Sequence, residues 1–201
     1  MAIKAEDVKT LREKTGAGMM DCRKALEETS GDIDKAIEVL RKRGVASAEK
    51  RVGRATNQGI IESYIHTGGR IGSMIELNCE TDFVAKTDDF KTLAREVAMQ
   101  VAAMNPRYVS REQVEKNILD SELDIYRSQA KAEGKPEHIA EKIALGKLDK
   151  FFQDVCLLEQ SYVKDPGKSI KDVVTETIAK TGENVTIKRF IRFHLGEDGQ
   201  A

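Results

Sequence analysis

The chain has 201 residues, of which 40% are hydrophobic and 33% charged. That apolar share is enough for a packed core and excludes wholesale disorder. Thirty-three Lys and Arg against thirty-four Asp and Glu leave a net charge of −1, so no overall field gathers nucleic acid or an anionic membrane.

The first fifty residues read as three short helices. Val8 and Leu11 mark the first, which breaks at Thr15-Gly16-Ala17-Gly18. The second covers Met19 to Thr29, with Cys22, Ala25 and Leu26 facing inward. Asp32 is placed to cap the third, where Ile33, Ala36, Ile37 and Leu40 repeat at the spacing of one buried stripe. Gly44 is expected to end it. Residues 41–54 then carry Arg41, Lys42, Arg43, Lys50, Arg51 and Arg54 against one acid, Glu49. That stretch reads as a partly helical connection. The sharper alternative is an RNA-contacting patch, although no aromatic residue interleaves to stack bases.

From Gly59 the period switches to two. Ile60–His66 reads as a strand, Thr67-Gly68-Gly69 as a turn, and Arg70–Cys79 as a second strand with Ile71, Ile75, Leu77 and Cys79 on one side. Ser73 interrupts that side. Phe90, Leu93, Ala94, Val97, Ala98, Val101 and Ala102 form the widest apolar face in the chain, on a helix that starts near Thr87-Asp88-Asp89 and breaks at Asn105-Pro106. Ser110-Arg111-Glu112-Gln113 has the form of a capping box opening a charged helical region through Glu133. Gly134 and Pro136 mark the next joint, with proline in a first-turn position. Ile139, Ile143, Leu148, Phe151, Phe152 and Val155 continue a buried face, which Gly146 is expected to bend. After Pro166-Gly167 comes a helix with Ile170, Val173, Val174 and Ile178 inward, ended by Thr181-Gly182. Val185, Ile187, Ile191, Phe193 and Leu195 alternate in a closing strand that completes a three-stranded sheet.

Chemistry-bearing motifs are scarce. Gly167-Lys168-Ser169 imitates the end of a phosphate-binding loop, but Tyr162 stands where the loop needs its first glycine. Cys22, Cys79 and Cys156 are odd in number and far apart, which fits reduced thiols better than disulfides or a zinc site. The longest apolar runs, such as Val155–Leu158, fall far short of the ~20 residues a spanning helix needs. No secretory h-region is visible near Met1, so a cytoplasmic location is expected. With no catalytic constellation or cofactor motif, the expectation is a protein that is not an enzyme and acts by binding.

One segment breaks the local pattern. Asn78-Cys79-Glu80-Thr81-Asp82-Phe83-Val84-Ala85-Lys86 joins the hairpin to the long helix, and Phe83 lies outside the helix's stripe. A junction held by two rigid elements is a favoured place for recognition, and an aromatic residue there can anchor in a partner's pocket. The competing reading packs Phe83 under the sheet edge and uses Asp82 as a cap.

Several ordered strings together resemble the elongation factor Ts family. They are Leu11–Cys22, Gly31-Asp32 to Leu40-Arg41-Lys42-Arg43-Gly44, His66–Gly72, Glu76–Ala85, Leu157-Leu158-Glu159-Gln160 and Phe190-Ile191-Arg192-Phe193. The resemblance implies an α+β chain: a ubiquitin-associated-like three-helix domain over 1–45, a basic linker over 46–58, and a core over 59–201 built on an antiparallel three-stranded sheet packed with helices. It implies guanine-nucleotide exchange on the GTPase elongation factor Tu. Thr81, Asp82, Phe83 and Val84 would enter beside the GTPase's magnesium site, with Phe83 as a wedge between helices. Arg12, Met19 and Met20 would touch another face of the same G domain, with ordinary core filling as the bland reading of the methionines. The sheet and its closing strand would touch the GTPase's later domains. No cofactor or metal of the chain's own, no membrane and no direct nucleic-acid contact are expected. The chain is too short for both a doubled core and the inserted helical hairpin of longer members, so a symmetric homodimer is expected. No cysteine lies in the closing strand, where Ile191 sits centrally, so a dimer joined there would be noncovalent. Two other readings stay open: a ubiquitin-like adaptor using the N-terminal helices, and RNA binding through residues 41–54.

Overall fold

The computed structural model describes residues 3–197. Its elements are α1 (Ala5–Thr15), α2 (Met19–Glu28), α3 (Ile33–Glu49), β1 (Gln58–Ile65), β2 (Ile71–Cys79), α4 (Asp82–Ala85), α5 (Asp88–Met104), α6 (Lys116–Ala132), α7 (Glu137–Val155), β3 (Ser161–Tyr162), β4 (Asp165–Ser169), α8 (Ile170–Thr181) and β5 (Val185–His194). The class is α+β, as expected: three helices, then a three-stranded antiparallel sheet of order β1-β2-β5 packed with helices. The chain divides into two compact units. One holds residues up to 60, 77–94 and 172–186, the other 61–76, 95–171 and those from 187 on. Strands β1, β2 and β5 and helix α5 each contribute residues to both.

In the first unit, α1, α2 and α3 share a core of Val8, Leu11, Cys22, Ala25, Leu26 and Ala36, the positions their spacing selects. The Asp32 carboxylate accepts the Lys35 N–H at 3.1 Å and so caps α3. Helix α3 does not stop at Gly44. It continues to Glu49, because the glycine there serves packing rather than termination. A Cβ at Gly44 would lie 3.1 Å from the Ala179 Cβ on α8. The arginines of the basic stretch are committed to the protein's own acceptors. Arg41 pairs with Asp172 at 3.9 Å, Arg43 with Glu28, and Arg54 with Glu80 at 3.5 Å, while Arg51 Nε donates to the Gly182 carbonyl at 2.7 Å.

In the second unit, Ser73 belongs to the buried side of β2 after all. Its hydroxyl donates to the Ala98 carbonyl on α5 at 2.6 Å, which satisfies the polar group that interrupts the stripe. Gly68 and Gly69 make the β1–β2 turn with φ of 92° and 67°, angles that a Cβ penalises. Helices α6 and α7 pack against each other, with Ala130 buried on one and Ala140 and Ala144 on the other. The Arg127 guanidinium grips Glu141 across them with two bonds of 2.6 and 2.8 Å.

Three expectations here are corrected. Ser110 opens only a short 3-10 turn over Arg111–Gln113. The Gln113 side chain accepts from the Val109 N–H at 2.7 Å, one residue early for a capping box, and α6 starts later at Lys116. Pro136 is the N-cap of α7 rather than a residue of its first turn. Ile139 is exposed, because the inward face of α7 runs through Ala140, Ala144, Phe152 and Val155. Gly146 sits within α7, which is one continuous helix from Glu137 to Val155.

The β3–β4 hairpin has no counterpart in the sequence reading. It is seated on two buried carboxamides. Gln100 donates to Gln160 Oε1 at 3.3 Å and to the Ser161 carbonyl at 3.0 Å, and it accepts the Val163 N–H at 3.0 Å. Gly167-Lys168-Ser169 lies within β4, so it forms strand and not a phosphate loop.

The closing strand departs most from its pattern. Val185 and Ile187 are buried, then Lys188 and Arg189 are both exposed. From there the odd positions face outward: Ile191 is 44% and Phe193 63% exposed. Arg192 takes the inward side and donates to the Ala102 carbonyl at 3.1 Å. A slip of one residue in the alternation sends every later side chain to the other face.

Candidate functional site

The segment after β2 turns immediately into α4, a single helical turn. Thr81 is its N-cap, extended at φ −125°, and its Oγ1 accepts the Val84 N–H at 3.5 Å. Threonine can do this because the hydroxyl replaces a bond that the first turn of a helix lacks. Val84 and Ala85 are buried and seat the turn. Phe83 then has nowhere inward to go. It is 78% exposed, which excludes the reading that packs it beneath the sheet edge. Asp82 is not the cap. Its carboxylate accepts from Lys86 Nζ at 2.6 Å, and this ammonium holds its pKa below the usual carboxylate value. Lys86 Nζ also lies 6.0 Å from the centre of the Phe83 ring. The exposed ring therefore stands beside an ion pair on its own turn.

A second segment holds this one from outside. Glu183 lies between α8 and β5. Its carboxylate accepts both the Thr81 N–H at 2.9 Å and the Thr81 hydroxyl at 2.6 Å. Next to it, buried Asn184 donates its N–H to Glu80 at 2.7 Å and its side-chain amide to the Arg54 carbonyl at 2.9 Å. Arg51 and Arg54 supply the further contacts given above. The Cys79 thiol donates to the Thr81 carbonyl at 3.1 Å, and burial pushes its pKa up. Of this surrounding set, sequence reasoning had no means of joining Glu183 and Asn184 to Thr81, because the two stretches are about a hundred residues apart.

The other predicted residues lie at the α1–α2 connection. Arg12 is exposed in the last turn of α1, and Met19 and Met20 are 48% and 62% exposed in the first turn of α2. Core filling is thereby excluded for both methionines. The intervening loop is fixed from within. Thr15 Oγ1 donates to the Leu11 carbonyl at 2.7 Å and accepts the Ala17 N–H at 3.3 Å, and the Cys22 thiol donates to the Ala17 carbonyl at 3.6 Å.

The described residues hold no group of His, Cys, Asp or Glu able to bind a metal ion. No helix among them is long and apolar enough to cross a membrane. The architecture defines a class first: a mixed α+β scaffold that displays apolar side chains on short, internally tethered turns. The Elongation factor TS family model matches residues 1–197, and the chain belongs to that family, whose role is nucleotide exchange in translation. An elongation factor Ts of Carboxydothermus hydrogenoformans is 57% identical over 195 residues, covering 97% of this chain and 90% of the relative. One of Thermotoga neapolitana is 57% identical over 199 residues, covering 99% and 100%. One of Thermoanaerobacter sp. is 54% identical over 195 residues, covering 97% and 96%.

Proposed function

We propose that this chain is a cytoplasmic guanine-nucleotide exchange factor that binds elongation factor Tu·GDP and promotes GDP release without chemistry of its own. The observation that carries the reading is Phe83, solvated on a turn whose backbone is tied down on both sides. In the proposed complex, Asp82 and Phe83 enter beside the GTPase's magnesium site and disturb the contacts that hold Mg²⁺ and the phosphates. Thr81 and Val84 hold the segment, Val84 from inside the fold. Arg12, Met19 and Met20 touch the G domain elsewhere. Residues 1–45 act as the ubiquitin-associated-like domain, 46–58 as the connection and 59–201 as the core. No direct nucleic-acid contact is needed.

The thermodynamics is linkage. A factor that binds the nucleotide-free GTPase better than the loaded form must weaken nucleotide binding by the same factor. A rigid display favours this, because the ring loses little freedom on insertion. The test mixes this protein with purified elongation factor Tu carrying fluorescent GDP and follows loss of the label. Release that is no faster than without the protein would refute the reading.

Homodimerisation is the second part of the proposal. Ile65, Met74, Phe193 and Leu195 line one open apolar groove on the outer side of β1, β2 and β5. Such a face is costly to leave wet. A second copy covers it in the proposed dimer, and Phe193→Asp converts the dimer to monomer in light scattering. A wild type that is already monomeric at micromolar concentration rejects this part alone.

A further inference from the structure

We infer that Glu183 is the positioning residue of the exchange segment, acting through Thr81 rather than on the partner. The inference rests on the exchange reading above and adds a residue to it. Thr81 is the last residue before the exposed pair, and its two donors both point at one carboxylate, at 2.9 and 2.6 Å. Fixing the N–H fixes the backbone that enters α4. Fixing the hydroxyl fixes the oxygen that caps α4 through the Val84 N–H. One carboxylate therefore sets the angle at which Asp82 and Phe83 leave the surface.

Glu183 is itself restrained. Its neighbours on both sides are held, Gly182 by Arg51 and Asn184 by Glu80 and the Arg54 carbonyl. The restraint passes through the basic stretch, which gives those arginines a use that needs no RNA. Glu183 is a better fixed point than a surface ion pair. Its two bonds end on one planar group, so a single side chain fixes both donors together. A wedge must arrive in one orientation, and small misplacements of a positioned group lower rates steeply.

The test compares Glu183→Ala, Glu183→Gln and Thr81→Val in the full chain with fluorescent GDP on elongation factor Tu. Glu183→Ala should lower the maximal release rate about tenfold, equivalent to about 1.4 kcal/mol. Half-saturation should change less, because the remaining docking surface is intact. Glu183→Gln should restore the rate to within about twofold. Its carbonyl takes the Thr81 N–H and its amide donates to the Thr81 hydroxyl. Thr81→Val should lie between the two. Amide exchange at Thr81 and Val84 should quicken in Glu183→Ala and not in Glu183→Gln. A Glu183→Ala rate equal to wild type overturns the inference, as does a Glu183→Gln rate as low as that of Glu183→Ala. The parent reading fails separately, when wild type itself does not speed release.

Discussion

Truncating Phe83 to alanine separates folding from function, because the ring contributes to each in a different state. In the free protein it is 78% exposed, so its removal takes away few contacts. Surface substitutions of this kind stay within about 0.5 kcal/mol of wild type. In the proposed complex the same ring is buried. Complete burial of a phenylalanine side chain is worth about 1.5–3 kcal/mol. Scaled to the 78% still available, docking gains ~1.2–2.3 kcal/mol. At about 1.4 kcal/mol per tenfold, stimulated GDP release should fall roughly 7- to 45-fold. Stopped-flow release of fluorescent GDP from elongation factor Tu measures this, with thermal melting of the variant as control. Phe83→Leu should lose less, since it keeps most of the apolar area. If Phe83→Ala melts as wild type and releases GDP within twofold of it, the wedge is not Phe83.

Two further outcomes concern the scaffold. Gly59→Ala should destabilise by about 2–4 kcal/mol in urea titration, because a Cβ there would meet the Leu77 carbonyl oxygen at 2.2 Å with φ at +157°. A variant as stable as wild type would show that the β1–β2 pairing yields at that point. Cys22, Cys79 and Cys156 are buried, and burial pushes the Cys156 thiol up to about 11. A thiol reagent at pH 8 should therefore leave all three unmodified until the protein unfolds. The sign of the pH effect follows: the native state keeps the Cys156 proton longer than the unfolded state does. Stability from this group is complete below about pH 8.5 and is lost as pH rises toward 11. Cys156→Ala should flatten that alkaline decline in a set of melting curves.

Local periodicity made most of the fold legible. The stripe on α5 and the inward triad of α2 each lie where spacing places them, because one apolar face must meet one core. Legibility failed where a third element decided the outcome. Gly44 reads as a stop signal until Ala179 of α8 is beside it. Ser73 reads as a flaw until the Ala98 carbonyl is opposite. In β5 Val185, Ile187, Ile191 and Phe193 keep to odd positions on either side of Arg189, yet a one-residue slip after Ile187 turns Ile191 and Phe193 outward. The exposed segment was legible as an anomaly, since Phe83 fits no stripe. Its support was not, because one chain alone carries no record that Thr81 and Glu183 meet.

That meeting has a consequence for the order in which the protein is made. Residue 183 emerges 102 positions after residue 81, a delay of about 5–20 s at ~5–20 residues per second. Throughout that interval the nascent chain already carries Asp82 and Phe83 but lacks the Glu183 carboxylate that holds Thr81. A message broken early, or a protease clipping ahead of Glu183, yields a fragment with every letter of the segment but without that carboxylate. On the proposed reading, full competence comes late in synthesis, once residue 183 has joined the fold.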